Sequence, residues 1–136
     1  MGTRGYYGFY YDGFYYTVYN NYDSYPASLG VIILKEIIDA LSADNLILEK
    51  WKDRLAIIDS TDSNKELVES TKNENYLENL LNKNYVIDNK FDEQYSYIIN
   101  LDADTFEYWT YGALALSVEL SSERLSKLHD VFKLSL

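Results

Sequence analysis

Few residues in this sequence combine the type and spacing that chemistry needs. His129 is the single histidine, it precedes Asp130, and both fall near the C-terminal end of a predicted helix. A histidine there is favourable to the helix dipole without any further role. There is no cysteine, so Ser-His-Asp and Cys-His arrangements lack the groups they require. Asp102 and Asp104 are spaced like the start of a calcium loop, but the glycine and glutamate that complete one are replaced by Glu107 and Ala113. Paired aspartates around Ala103 are equally what a tight turn uses. Gly2, Gly5 and Gly8 are evenly spaced, yet they precede a strand pattern and not a helix N-terminus, so a phosphate-binding loop is not indicated.

Two polar segments remain. One is Gly2-Thr3-Arg4-Gly5, and the other runs Tyr19-Asn20-Asn21-Tyr22-Asp23-Ser24-Tyr25-Pro26. Arg4 opens the first predicted strand and the second segment leaves the next one, so antiparallel pairing puts both at one end of a sheet. An Arg4–Asp23 ion pair is expected there, beside tyrosine hydroxyls, Asn20 and Ser24, and would form a polar pocket. The same residues also suit a turn in which Asp23 and Ser24 bond their own backbone. The candidate binding residues are therefore Thr3, Arg4, Tyr6, Asn20, Asp23, Ser24 and Tyr25, with Asp102 and Asp104 as acidic candidates elsewhere. No residue is assigned as catalytic, cofactor-binding or metal-ligating.

The elements that position these residues follow from pattern. Gly5–Tyr11 and Phe14–Asn20 are aromatic runs joined by Asp12-Gly13, a strong hairpin signal. Tyr7, Phe9 and Tyr11 share one face, while Tyr6 and Tyr10 take the other with Gly8 between them. Both faces are aromatic, so a helix, another chain or a ligand is expected over the second. Pro26 biases Tyr25 to an extended conformation. Ser28 is expected to cap a helix from Leu29 to about Leu41. A second helix is expected near Asn45 to Ile58, carrying Ile47, Trp51 and Leu55. After a polar break at 59–64, Ser63 and Glu66 form a capping box for a weaker helix reaching about Asn82. A short strand follows at Tyr85–Ile87. Tyr95–Leu101 and Thr105–Tyr111 flank the Asp102-Ala103-Asp104 turn. In Ala113–Leu120, Leu114, Leu116, Val118 and Leu120 alternate onto one face. Ser121 or Ser122 starts a last helix with Leu125, Leu128, Val131 and Phe132. The sum is one α+β domain, residues 1–136: an antiparallel sheet of about four to five strands packed against helices.

Composition limits the classes of function. The chain has 136 residues and a formal charge of −10 from 22 acidic and 12 basic side chains. Such a field repels phosphate, so direct nucleic-acid binding is disfavoured and basic partners are favoured. Acidity also serves solubility alone. Fifteen of the aromatic residues are tyrosine, suited to half-buried sheet faces or to binding surfaces. No apolar run approaches the ~20 residues of a membrane span, no signal peptide is visible, and Tyr6 stands where a myristoylation signal needs Ser or Thr. A cytoplasmic location without a membrane partner is expected.

The Met1-Gly2-Thr3-Arg4-Gly5 start, the Tyr19-Asn20-x-x-Asp23-Ser24-Tyr25-Pro26 loop with Leu29-Gly30, and Tyr97–Asp102 followed by Phe106-Glu107-Tyr108 resemble a set of small uncharacterised proteins from bacteria, phages, large viruses and fungi. The resemblance covers the two hairpin regions and little of the middle, and it implies no activity. Asn21 stands where that set has histidine.

Two functions are compatible with these residues. The first is an acidic, tyrosine-rich interaction protein that binds and inhibits a basic partner, such as a nucleic-acid-binding defence protein targeted by a phage or mobile element. The second is a small-ligand binder or small hydrolase using the Arg4/Asp23 end. An amino-terminal nucleophile does not fit, because removal of Met1 exposes Gly2 and not Thr3. The first is preferred; it calls for no catalytic group and no cofactor, leaves enzymatic activity to the second reading, and is open to homo-oligomerisation.

Overall fold

The computed structural model describes residues 3–57, 75–82, 86–87 and 93–134. Strands β1 (Gly5–Tyr11) and β2 (Phe14–Asn20) form the expected hairpin, with Tyr11 opposite Phe14. Asp12 and Gly13 hold φ of 50° and 84°, the left-handed pair that a two-residue turn needs to match the twist of its strands. Helices α1 (Val31–Ala43), α2 (Ile47–Ala56) and α3 (Tyr76–Asn82) follow, then a two-residue strand β3 (Val86–Ile87). Strands β4 (Tyr95–Asn100), β5 (Thr105–Thr110) and β6 (Ala113–Glu119) and helix α4 (Ser122–Lys133) complete the order. The fold is α+β, with five full strands and the short β3 in the spatial order β3-β2-β1-β4-β5-β6.

One pairing departs from the expected all-antiparallel sheet. β1 and β4 run parallel, from Gly5 opposite Tyr95 to Tyr10 opposite Asn100. The helical middle of the chain supplies the long crossover that a parallel pair requires. Local turn signals reveal hairpins but carry no information about such a distant pairing.

The helices cover one face. Tyr7, Phe9, Tyr16, Val18, Tyr97, Ile99 and Phe106 share a hydrophobic cluster with Leu29, Ile33, Leu34, Ile37, Trp51, Leu55, Leu80, Leu125 and Phe132. Phe9 meets Trp51 edge-on at 5.3 Å, and Phe132 crosses Tyr108 at 5.2 Å and Tyr97 at 6.1 Å. Burying each such side chain stabilises the fold by about 1.5–3 kcal/mol. On the second face the tyrosines pair with one another: Tyr6 lies 5.5 Å from Tyr19, and Tyr10 lies 4.5 Å from Tyr15. Ser96 and Ile98, whose register puts them on that face, are fully buried.

Three local expectations are corrected. Ser28 does not cap a helix; it lies inside a π-helical turn, Pro26–Gly30, that runs directly into α1. Pro26 has no N–H to donate and opens that turn, while Tyr25 before it is extended at φ −66° and ψ 160°. In β6 a register shift pairs Leu114 with Trp109 and leaves Ala115 without an opposite residue, so Leu114 leaves the Leu116–Val118 alternation and is 49% exposed. In α4, Leu125, Leu128 and Phe132 are buried but Val131 is 60% exposed. Ser121 does cap α4, accepting the Arg124 N–H. The Ser63–Glu66 capping box, the polar break before it, Tyr85 and Gly2 lie outside the described residues.

Candidate functional site

The parallel β1–β4 register sorts the candidate residues into two groups at opposite ends of the sheet. Thr3, Arg4, Tyr6, Asn20, Asp23, Ser24 and Tyr25 gather where β1 and β4 begin and β2 ends. Asp102 and Asp104 sit where β1 and β4 finish. The length of β1, 7 residues, separates the groups by about 20 Å.

At the first end the polar groups satisfy one another. Ser24 is fully buried and Asn20 is 3% exposed. The Asn20 side-chain amide donates to the Ser24 hydroxyl at 2.8 Å and to the Tyr22 carbonyl. The Ser24 hydroxyl donates back to the Asn20 carbonyl at 3.1 Å. Thr3 Oγ1 accepts the Ser24 N–H, and the Tyr97 hydroxyl donates to the Ser24 carbonyl at 2.6 Å. Burial pushes the Tyr97 hydroxyl far above its ordinary value, with the charges of Tyr108 and Tyr95 adding to it, so it acts as a fixed donor. Gly5 is required beside this network: a Cβ there would lie 2.3 Å from the Tyr95 carbonyl oxygen and 3.0 Å from the Ser24 Cβ.

The expected Arg4–Asp23 bridge does not form. Both residues are exposed, and among the described residues no ion pair joins them. Asp23 instead adopts a positive φ of 40° and its carbonyl accepts the Leu29 N–H at 3.2 Å. The loop turns through backbone bonds, and two exposed charges gain little from pairing. Tyr6 is half-buried against Tyr19, and Tyr25 is half-buried with its carbonyl accepting the Ser28 N–H at 2.9 Å. These residues lie together, but Asn20 and Ser24 are turned inward.

The second end displays carboxylates. Asp102 and Asp104 are exposed, and Asp12 and Glu119 join them there. Asp102 Oδ1 accepts the Asp12 N–H at 2.9 Å, tying the β1–β2 turn to the β4–β5 loop. Leu101 N–H donates to the Tyr10 carbonyl at 2.9 Å. Asp104 stands at φ 54°, its carbonyl accepts the Leu120 N–H at 3.0 Å, and its carboxylate is 3.8 Å from Lys52 Nζ of α2. Asp12 and Glu119 were not singled out from sequence. Asp12 reads there only as a turn residue, and its neighbours follow from the parallel register alone.

A cleft of about 360 Å³ between α1, α2 and α3 also escaped the sequence reading. It is lined by Glu36, Asp39, Ala40, Ile47, Trp51, Asn75, Leu77 and Glu78. Glu36 accepts the Tyr76 and Leu77 N–H groups, both at 2.9 Å, and so caps α3. Burial raises its carboxyl above the usual value, against the lowering effect of those two bonds. Asp39 pairs with Lys35 at 3.3 Å and Glu78 with Arg54 at 2.6 Å.

Among the described residues no group of three or more histidine, cysteine, aspartate or glutamate side chains is placed to hold a metal ion. No helix among them is long and apolar enough to cross a membrane. His129 lies 3.9 Å from Asp130 on α4. The tyrosines are mostly packed: of those described, only Tyr22 and Tyr111 are exposed, at 41% and 71%. No protein-family model, curated protein or solved structure matches this chain.

Proposed function

We propose that this protein is an acidic interaction module that binds a basic protein partner and blocks the surface it covers. One observation carries this reading: Asp12, Asp102, Asp104 and Glu119, from three separate segments, converge as exposed carboxylates at one end of the sheet. Within a chain of net charge −10, such a cluster attracts cations over roughly a Debye length of ~8 Å at physiological salt. A nucleic-acid-binding protein is the kind of partner whose groove such a surface suits, as a host-defence inhibitor would use it.

The alternative, a small-ligand or hydrolytic pocket at Arg4 and Asp23, has less support. Its buried polar groups already bond each other and the backbone, and Arg4 and Asp23 form no pair. The test is capture of partners from the source cell, followed by binding kinetics with the captured protein at several ionic strengths. Association that slows steeply as salt rises supports the proposal. Association indifferent to salt sinks it.

A further inference from the structure

The cleft between α1, α2 and α3 holds about 360 Å³, a volume within the range of small-ligand sites. Ala40, Ile47, Trp51 and Leu77 give it apolar walls. Glu36, Asp39 and Glu78 supply the only charges among its described lining residues, and all three are negative. Glu78 is already held by Arg54 at 2.6 Å. Asp39 meets Lys35 in a pair exposed on both sides, which is worth little. Among the described residues no ion pair reaches Glu36. Burial raises its carboxyl, and what opposes burial is the pair of N–H groups from Leu77 and Tyr76, not a cation.

We propose that this cleft binds an aliphatic polyamine, with ammonium groups on Glu36 and Asp39 and the methylene chain along Ile47, Trp51 and Leu77. Charge selects a cation, since the cleft offers carboxylates and no competing positive group. The apolar walls select an organic one, because a bare metal ion needs oxygen ligands on all sides. Glu36 and Asp39 lie three residues apart on α1, so their Cβ atoms are about 5–6 Å apart on one face. Two ammonium groups joined by a short chain answer both carboxylates, whereas a single ammonium answers one. Each Glu36 oxygen accepts one backbone N–H and keeps a lone pair for a further donor. The Trp51 indole adds apolar contact and an electron-rich ring beside the cation.

This inference is independent of binding to a basic partner at the acidic end, because different residues carry it. The experiment is calorimetric titration of the full chain with putrescine, spermidine, N-acetyl-lysinamide and magnesium chloride, with the fold of each variant checked by circular dichroism. One-site binding of putrescine and spermidine is expected, tighter than that of N-acetyl-lysinamide, which carries the single ammonium of a protein lysine, and tighter than that of magnesium. The chain has two tryptophans, so in Trp109→Phe the fluorescence change on binding reports Trp51. Asp39→Lys is expected to lower affinity about fivefold or more, the size of one exposed ion pair. Asp130→Lys makes the same change of net charge at an exposed position of α4 and leaves affinity within about twofold. Ala40→Leu fills the cleft and abolishes binding. Absence of any heat with millimolar spermidine overturns the proposal. So does N-acetyl-lysinamide or magnesium that binds as tightly as putrescine, an equal loss in Asp39→Lys and Asp130→Lys, or an Ala40→Leu variant that binds like the wild type.

Discussion

The hydroxyl of Tyr97, at the centre of β4, donates to the carbonyl of Ser24 at 2.6 Å across 73 residues of sequence. It fixes the loop after β2 to the strand that β1 pairs with in parallel, and Ser24 in turn holds Asn20 and Thr3. The loop that looked like a pocket is thereby a structural joint.

Tyr97→Phe is expected to leave that buried carbonyl without its donor and to cost about 1–3 kcal/mol of stability. Asn20→Ala is expected to cost a similar amount, and the double variant less than the sum, because the two residues share Ser24. Urea unfolding of the three variants checks this. Additive effects would mean that the network is not one unit.

Gly5→Ala places a methyl group 2.3 Å from the Tyr95 carbonyl oxygen, where backbone has to move. A loss of about 1–3 kcal/mol is expected, while Asn21→Ala, at an exposed position, stays within ~0.5 kcal/mol. Thermal or urea unfolding distinguishes the two.

Glu36 titrates above its unfolded value because burial opposes its charge. The folded state therefore holds the proton more tightly than the unfolded one. Its contribution to stability is fully present below the unfolded value of 4.5 and is lost as pH rises through the higher folded value. The stability of the wild type relative to Glu36→Gln is expected to fall with rising pH across that window. Urea unfolding of both proteins from pH 4 to pH 7 measures the slope. A difference that stays flat or rises with pH would show that the two backbone bonds to the carboxylate outweigh burial.

Asp102→Lys combined with Asp104→Asn is expected to slow association with a captured basic partner and to change dissociation much less. Asparagine is chosen at 104 because it tolerates the positive φ found there. Surface plasmon resonance at low and physiological salt reads both rates, with circular dichroism confirming the fold.

His129→Ala is expected to leave partner binding unchanged, since the imidazole lies beside Asp130 on α4 and takes no part in the contacts among Asp12, Asp102 and Asp104. A loss of binding with the fold intact would move the interaction surface onto that helix.

The elements were largely legible in the sequence because their signals are local. Asp12-Gly13 marked the first turn, Ser121 or Ser122 marked the start of α4, and the aromatic runs marked the bounds of β1 and β2. What was hidden depends on distant chain. The parallel register of β1 and β4 decides that Asp12 stands beside Asp102, and no spacing reports it. Arg4 and Asp23 were placed at the correct end, but opposite charges at one end of a sheet did not become an ion pair. Tyrosine abundance suited either half-buried sheet faces or a binding surface, and most rings take the first course, packing against the sheet, the helices or each other, which their apolar bodies favour. The cleft beside Glu36 depends on three helices meeting and left no trace in any one of them.

The position of β1 carries a consequence for how the chain is made. It is a central strand, flanked by β2 and β4, yet Gly5 lies opposite Tyr95. The hairpin with β2 can close as soon as both runs leave the ribosome, but β1 then waits until Tyr95–Asn100 has been made before its other side is paired. Contacts of such separation slow folding, because a long loop must close before any bond rewards it. The second side of the central strand is therefore the late event of folding: the sheet exists first as a two-stranded ribbon and becomes continuous only when β4 docks beside it.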